Sequence, residues 1–278
     1  MEIRIYGTRG SYAVSGDTAS RYGGNTACVV ISEGNDVLVL DGGTGILRIP
    51  PELFKRSHKI TILLTHLHLD HIQGLGFFKP MYNPAYDIHI LGPAGYNTTL
   101  KDRLIRYFSP PLFPVHFRDL PSRIQLHEIG HDTFALGPFR IHSNFICHQG
   151  PTLAFRVAVG NKSVAYFPDH EPVLVSDIWE AGKEWISGMD VAEGADILIH
   201  DAQYTSAEYE KRQGWGHCSQ SDALRFAAMA DVKKLLLFHH DPDHTDERLE
   251  EMLAEVKKEM NVSFPVELAS ERDIYSLD

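Results

Sequence analysis

"LLTHLHLDHIQG", residues 63 to 74, holds three histidines and an aspartate within six consecutive positions. The apolar run around its start, "KITILLT" (59 to 65), reads as a buried strand bounded by turn signals. The polar cluster therefore begins where a strand ends. Residues two apart in extended chain point the same way, so His66 and His68 can reach one ion. Asp70 and His71 follow as the chain turns into a helix, and they can reach a second ion nearby. Imidazole and carboxylate suit zinc, manganese and iron alike. A plain histidine-rich loop is the alternative, but four ligand-type residues directly behind a buried strand make a more specific pattern.

Further ligands are then expected at other strand ends. "FICHQG" closes an apolar run at His148, "AYFPDHEP" closes one at Asp169, and "LLLFHHDP" closes one at His239 and His240. Open sheets build their sites at such carboxyl ends. Asp41, in "VLVLDGGTG", also follows a strand. It reads equally as a support for a ligand histidine and as a simple Asx turn.

The rest of the chain organises around these points. "EIRIY", "ACVVIS" and "DVLVLD" read as strands, as does "YDIHILGP" (86 to 93). A helix is expected after Pro93, with Leu100, Leu104, Ile105 and Phe108 on one face. Four prolines, at 110, 111, 114 and 121, mark an irregular loop. Segments 139–148, 152–160 and 162–169 look like a meander, with Gly160-Asn161 as a hairpin turn. The last third alternates. "ADILIHD" and "KLLLFHHD" are strands, "SQSDALRFAAMA" is a helix started by Ser219 and Asp222, and Leu249, Met252, Leu253 and Val256 mark an amphipathic helix. The expected fold is α/β (α+β), a single 1–278 domain with two facing sheets and helices outside.

Composition narrows the function. Lys and Arg total 26 against 37 Asp and Glu, a formal charge of -11. A broad nucleic-acid surface needs a positive footprint, and a membrane patch needs clustered basic residues. Neither is expected. No apolar run approaches the roughly 20 residues of a membrane span. Cys28, Cys147 and Cys218 are odd in number and match no zinc or redox spacing. Free thiols in a reducing, cytoplasmic location is the expectation.

The order "THLHLDH", then a later His, an Asp and a final His resembles the metallo-β-lactamase superfamily of dinuclear metallohydrolases. The resemblance covers most of the chain. "GTRGSY…RYGGNTACVVI…VLVLDGGTG" looks like the opening of the branch that holds ribonuclease Z and related phosphodiesterases. "HDAQYTSAEY…GWGHCS" resembles that branch's segment ending in a Gly-His-Ser-Thr loop, although here Cys218 precedes Ser219. The resemblance implies a four-layer αββα sandwich and two divalent metal ions, zinc or manganese first and iron next. His66, His68 and His148 would hold one metal, Asp70, His71 and a late histidine the other, and Asp169 would bridge them. His239 is favoured over His240 for the late ligand.

The resemblance further implies hydrolysis by a metal-activated hydroxide, with Asp70 and His217 as catalytic residues. His217 is the candidate general acid, because Ser219 is better placed to cap the following helix. Trp215 beside it reads as a packing residue, with base stacking as the alternative. His58, His89, His116, His127, His131 and His142 share no register and read as surface or core residues. His170, His200 and His244 lie near candidate ligands.

The endonuclease carries a long basic arm between its third ligand His and the bridging Asp. Here 20 residues separate His148 from Asp169, and they read as a hairpin. A small phosphodiester such as a cyclic nucleotide or dinucleotide is therefore the expected substrate and partner, with a homodimer as the one protein partnership considered. A lactone or (thio)ester hydrolase on the same metal pair is the first alternative. A non-catalytic diiron, oxygen-sensing protein is the second, and His68 stands where such proteins usually carry Glu.

Overall fold

The structure is a computed structural model that describes residues 1–55, 58–174 and 182–278. The first sheet starts with three antiparallel neighbours, β1 (Glu2–Gly7), β2 (Cys28–Glu33) and β3 (Asp36–Leu40). It continues in parallel through β4 (Lys59–Leu63), β5 (Asp87–Pro93) and β6 (Arg123–Ile129). The one-turn helix α1 (Leu69–Ile72) follows β4, and α2 (Leu100–Tyr107) follows β5. The second sheet opens on β7 (Asp132–Leu136), β8 (Phe139–Phe145), β9 (Leu153–Val159) and β10 (Lys162–Phe167), a continuous antiparallel meander.

After the short α3 (Met189–Ala192), β11 (Ile197–Asp201) joins β10 in parallel. Helices α4 (Ser206–Tyr209) and α5 (Gln220–Met229) lead to β12 (Leu235–Phe238), also parallel. The long α6 (Asp246–Glu259) leads to the short β13 (Val266–Leu268), and β14 (Ile274–Ser276) returns to pair with β1. Among the described residues each sheet has seven strands, in the orders β14-β1-β2-β3-β4-β5-β6 and β13-β12-β11-β10-β9-β8-β7.

The residue pattern explains the layering. β1 alternates half-buried and buried positions, and its Ile3 and Ile5 join Leu153, Phe155 and Val157 of β9 in the cluster between the sheets. β2 is apolar on both faces because Val29 and Ile31 point into that cluster while Cys28 and Val30 enter another. This outer cluster holds Leu100 and Leu104 of α2 against the first sheet. On the far side, Leu224 and Phe226 of α5 and Leu249 and Val256 of α6 cover the second sheet. The four-layer αββα arrangement follows. Helices α2, α5 and α6 start at side-chain caps, with Thr99, Ser219 and Thr245 accepting from the third backbone N–H, each contributing about 1 kcal/mol.

The expected elements occur with three adjustments. The run 139–148 stops as a strand at Phe145, so His148 sits in a loop. β6 and β7, which follow the proline-rich loop, and the short β13 and β14 carry weak sequence signals. Among the described residues no helix is long and apolar enough to cross a membrane. The three cysteines are free thiols, Cys28 and Cys218 buried and Cys147 partly so.

Candidate metal centre

Strand ends from both sheets meet at one edge of the sandwich. Parallel β3 and β4 deliver Asp41 and the 65–71 segment, and parallel β10, β11 and β12 deliver Asp169, Asp201 and His239. The loop after β8 brings His148. Two groups of ligand atoms result, each lying within 4.8 Å: His66, His68, His148 and Asp169 in one, Asp70, His71, Asp169 and His239 in the other.

Asp169, 1% exposed, divides its carboxylate between the two groups. Its Oδ2 lies 3.7 Å from His66 Nε2 and 3.6 Å from His148 Nε2. Its Oδ1 lies 2.9 Å from His71 Nε2 and 3.2 Å from His239 Nε2. Asp70 Oδ2 is 3.3 Å from both His71 Nε2 and His239 Nε2, and it accepts a 2.8 Å hydrogen bond from the Ser11 amide.

The donor set fits cations. The rings are turned by hydrogen bonds on their other nitrogens. His71 Nδ1 donates to Asp41 Oδ2 at 2.9 Å. Asp41 also accepts from the Thr65 amide, the Thr65 hydroxyl and the Tyr166 hydroxyl. The Thr65 hydroxyl, its proton spent on Asp41, accepts from His66 Nδ1 at 3.1 Å. His148 Nδ1 donates to the Gly216 carbonyl at 2.7 Å. Each Nε2 is thereby left to present a lone pair to the centre. Buried His66 Nε2, His71 Nε2 and Asp169 Oδ1 have no hydrogen-bond partner among the described residues. Lone pairs facing a carboxylate at such distances are repulsive unless a cation lies among them.

Electrostatics agrees with this. Burial, reinforced by neighbouring His71, pushes the His66 imidazole well below its usual range. Burial brings His148 down to about 4. Both are neutral at pH 7, as ligands must be. Burial works against ionised Asp169, yet His239 and His71 hold it well below the usual carboxylate range. Burial likewise opposes charge on His71, but Asp169, Asp70 and Asp41 raise it well above the usual imidazole range. Without a cation a proton therefore takes that place, and metal binding would release it.

His217 stands beside the cluster. Its Nδ1 is 2.7 Å from Asp201 Oδ2 and 3.9 Å from Asp169 Oδ2, and its ring stacks on His239 at 5.0 Å. Burial opposes its charge, but Asp201, Asp169 and Asp70 raise it to about 9. Ser219, not His217, caps α5. Glu171, buried, accepts from the Gly214 and Gly216 amides at 2.7 and 2.8 Å and from the Tyr209 hydroxyl. It thus clamps the glycine loop that carries His217 and that receives the proton of His148.

All the expected ligand residues converge. The ambiguity at 239 and 240 resolves: His239 enters the site with φ 58°, whereas His240 Nε2 bonds the Ala269 carbonyl at 2.9 Å. A Cβ on Gly10 would fall 2.4 Å from the His239 ring, so the "GTRG" segment needs glycine there. His170 and His200 form a buried pair at 2.9 Å behind the site and do not line it. Trp215 is 56% exposed, which corrects the packing expectation. Asp201, Thr65, Ser11 and Glu171 escaped the sequence reading. Asp201 alone had a signal, since it ends the strand "ADILIHD" as Asp169 follows its own.

A family model described as the beta-lactamase superfamily domain matches residues 36–240. The chain belongs to that superfamily. Ribonuclease Z of Streptococcus suis (strain 98HAH33) is 26% identical over 290 residues, covering 87% of this chain and 90% of the relative. Among solved structures, the metallo-beta-lactamase fold protein YhfI from Bacillus subtilis aligns with a TM-score of 0.72 at 18% identity, covering 99% and 98% of the two chains. Human tRNase Z, short form, aligns at 0.70 and 20% identity over the full length of both. This superfamily member is a metal-dependent hydrolase with ribonuclease Z among its relatives.

Proposed function

We propose that this hydrolase is a dinuclear phosphodiesterase acting on a small phosphodiester such as a cyclic nucleotide or dinucleotide. The observation that carries the reading is the division of Asp169, one oxygen toward each histidine group. In this reading His66, His68 and His148 would hold one cation, Asp70, His71 and His239 would hold the second, and Asp169 would serve both. When bound, such a pair activates water at neutral pH and offsets charge building on a phosphoryl oxygen. Zinc or manganese suits the donors best, with iron next.

The chain's own residues supply orientation and a proton. Asp41, Thr65 and the Gly216 carbonyl fix the ring faces of His71, His66 and His148. The Ser11 amide fixes Asp70. His217, its Nδ1 proton engaged by Asp201, offers the Nε2 proton to a departing alkoxide. Asp201 is the largest of the carboxylate influences that favour the protonated ring. General-acid assistance of this kind contributes typically ~10² to 10⁴ in rate.

Two observations favour a small diester. The segment between His148 and Asp169 is taken up by β9 and β10, with no room for a basic arm. The net charge of -11 opposes a polyanion the size of tRNA. The names of the relatives, ribonuclease Z and tRNase Z, support phosphodiester chemistry over lactone or thioester cleavage. The test is a panel of cyclic nucleotides, dinucleotides, aryl phosphodiesters, lactones and precursor tRNA, assayed with metal-reconstituted protein. A small diester should turn over fastest. Preference for a lactone, or for precursor tRNA, would overturn the reading.

A further inference from the structure

A second histidine cluster lies outside the catalytic centre. His131 sits in the turn between β6 and β7, His142 on β8 and Asp190 on α3. One ligand atom from each lies within 4.8 Å of the others. His142 Nε2 is 3.2 Å from Asp190 Oδ2, and the His131 and His142 rings are 5.6 Å apart, edge to face. None of the three contributes to the Asp169 groups. We propose that they form a separate, surface metal site that takes one borderline divalent cation, zinc above all.

The donor types select the ion. Two imidazoles with a single carboxylate favour zinc, copper or nickel over magnesium or calcium, which prefer all-oxygen shells. The neighbours prepare the donors. His142 Nδ1 is 3.0 Å from the Thr133 hydroxyl. When that nitrogen donates to Thr133, Nε2 turns a lone pair toward Asp190, the tautomer a metal needs. Asn144 Nδ2 donates to Asp190 Oδ2 at 2.9 Å and orients the carboxylate.

A simple exposed His–Asp contact accounts for His142 and Asp190 alone, and such pairs contribute little, about 0–1 kcal/mol. An edge-to-face ring contact brings His131 against His142, and it leaves a His131 ring nitrogen within reach of the other two ligand atoms. A shared cation accounts for all three. His131 and Asp190 are exposed and His142 is partly so, which leaves entry open and further coordination positions to water. A bound ion would tie α3 to the β7–β8 hairpin and stabilise the fold by mass action.

The test counts metal and does not depend on turnover, so it stands or falls apart from the phosphodiesterase reading. Metal-depleted protein is equilibrated against zinc buffers, and bound zinc per chain is measured by elemental analysis alongside Tm. The wild type should bind one equivalent more than the His131→Ala/His142→Ala variant, and its zinc-dependent rise in Tm should be partly lost in that variant. Hydrolysis should be unchanged. Asp190→Ala, an exposed helix substitution, carries the test if the double variant fails to fold, and it too should lose the extra equivalent. Equal zinc content in wild type and variants across the titration would overturn the site, as would an extra equivalent that survives in Asp190→Ala.

Discussion

His217 and Asp201 are joined through Nδ1 and Oδ2 at 2.7 Å, although they stand 16 positions apart in the chain. The carboxylate itself is held by the amides of His170 and Gln203. It cannot turn away from the imidazole without losing both. A ring so fixed has one free nitrogen, Nε2, while Nδ1 lies 2.7 Å from Asp201 Oδ2 and 3.9 Å from Asp169 Oδ2.

His217→Ala should therefore keep the metals and lose rate according to the leaving group. A nitrophenolate departs without protonation and a ribose alkoxide does not. The loss should approach ~10² to 10⁴ on an alkyl diester and be much smaller on a nitrophenyl diester. Asp201→Asn should show the same discrimination in milder form. Equal losses on both substrates would assign His217 to binding instead.

Asp169→Asn keeps the shape and removes the charge that offsets two cations. It should hold fewer metal ions per chain than the wild type by elemental analysis, and lose nearly all activity. Chelation should abolish wild-type activity, with recovery on adding zinc or manganese. A normal metal content and rate in Asp169→Asn would reduce the residue to an ordinary turn position.

Asp41 reaches the centre directly through His71 and, by way of the Thr65 hydroxyl, through His66. Asp41→Asn should weaken the metal on the His71 side by about 10- to 100-fold, the usual cost of removing a ligand's hydrogen-bond partner. Competition with a chelator of known affinity measures this directly. An unchanged affinity would return Asp41 to the simple turn that its sequence equally allows.

His200 makes acid a stress on the fold. Burial lowers it from 6.5 to about 4, so it stays neutral in the folded chain while the unfolded chain takes up a proton below pH 6.5. The unfolded state then binds more protons, and stability falls as pH drops from 6.5 to about 4. The contribution is on the order of 3 kcal/mol across that window. In denaturant titrations of metal-free protein, His200→Gln should lose less stability between neutral and acid pH than the wild type. Parallel pH profiles would show that His200 titrates normally.

The sequence by itself determined the layered fold and named most of the residues that converge at the candidate metal centre. Strand periodicity placed β1 to β5 and β8 to β12, because two-sided burial demands continuous apolar runs and one-sided burial demands alternation. The same runs placed His66 and Asp169 just behind the ends of parallel strands, which deliver side chains to one edge, and His148 past the end of antiparallel β8. Tertiary structure alone decided the rest. His239 and His240 are adjacent and chemically identical, and only the backbone turn at φ 58° aims the first at Asp169 and the second at Ala269. Asp41 as turn or support depended on β3 lying beside β4, which brings it to His71 and Thr65. Glu171, Ser11 and the His131–His142–Asp190 cluster were silent in the chain, since their meaning lies in contacts between segments far apart in sequence, and no local period records those.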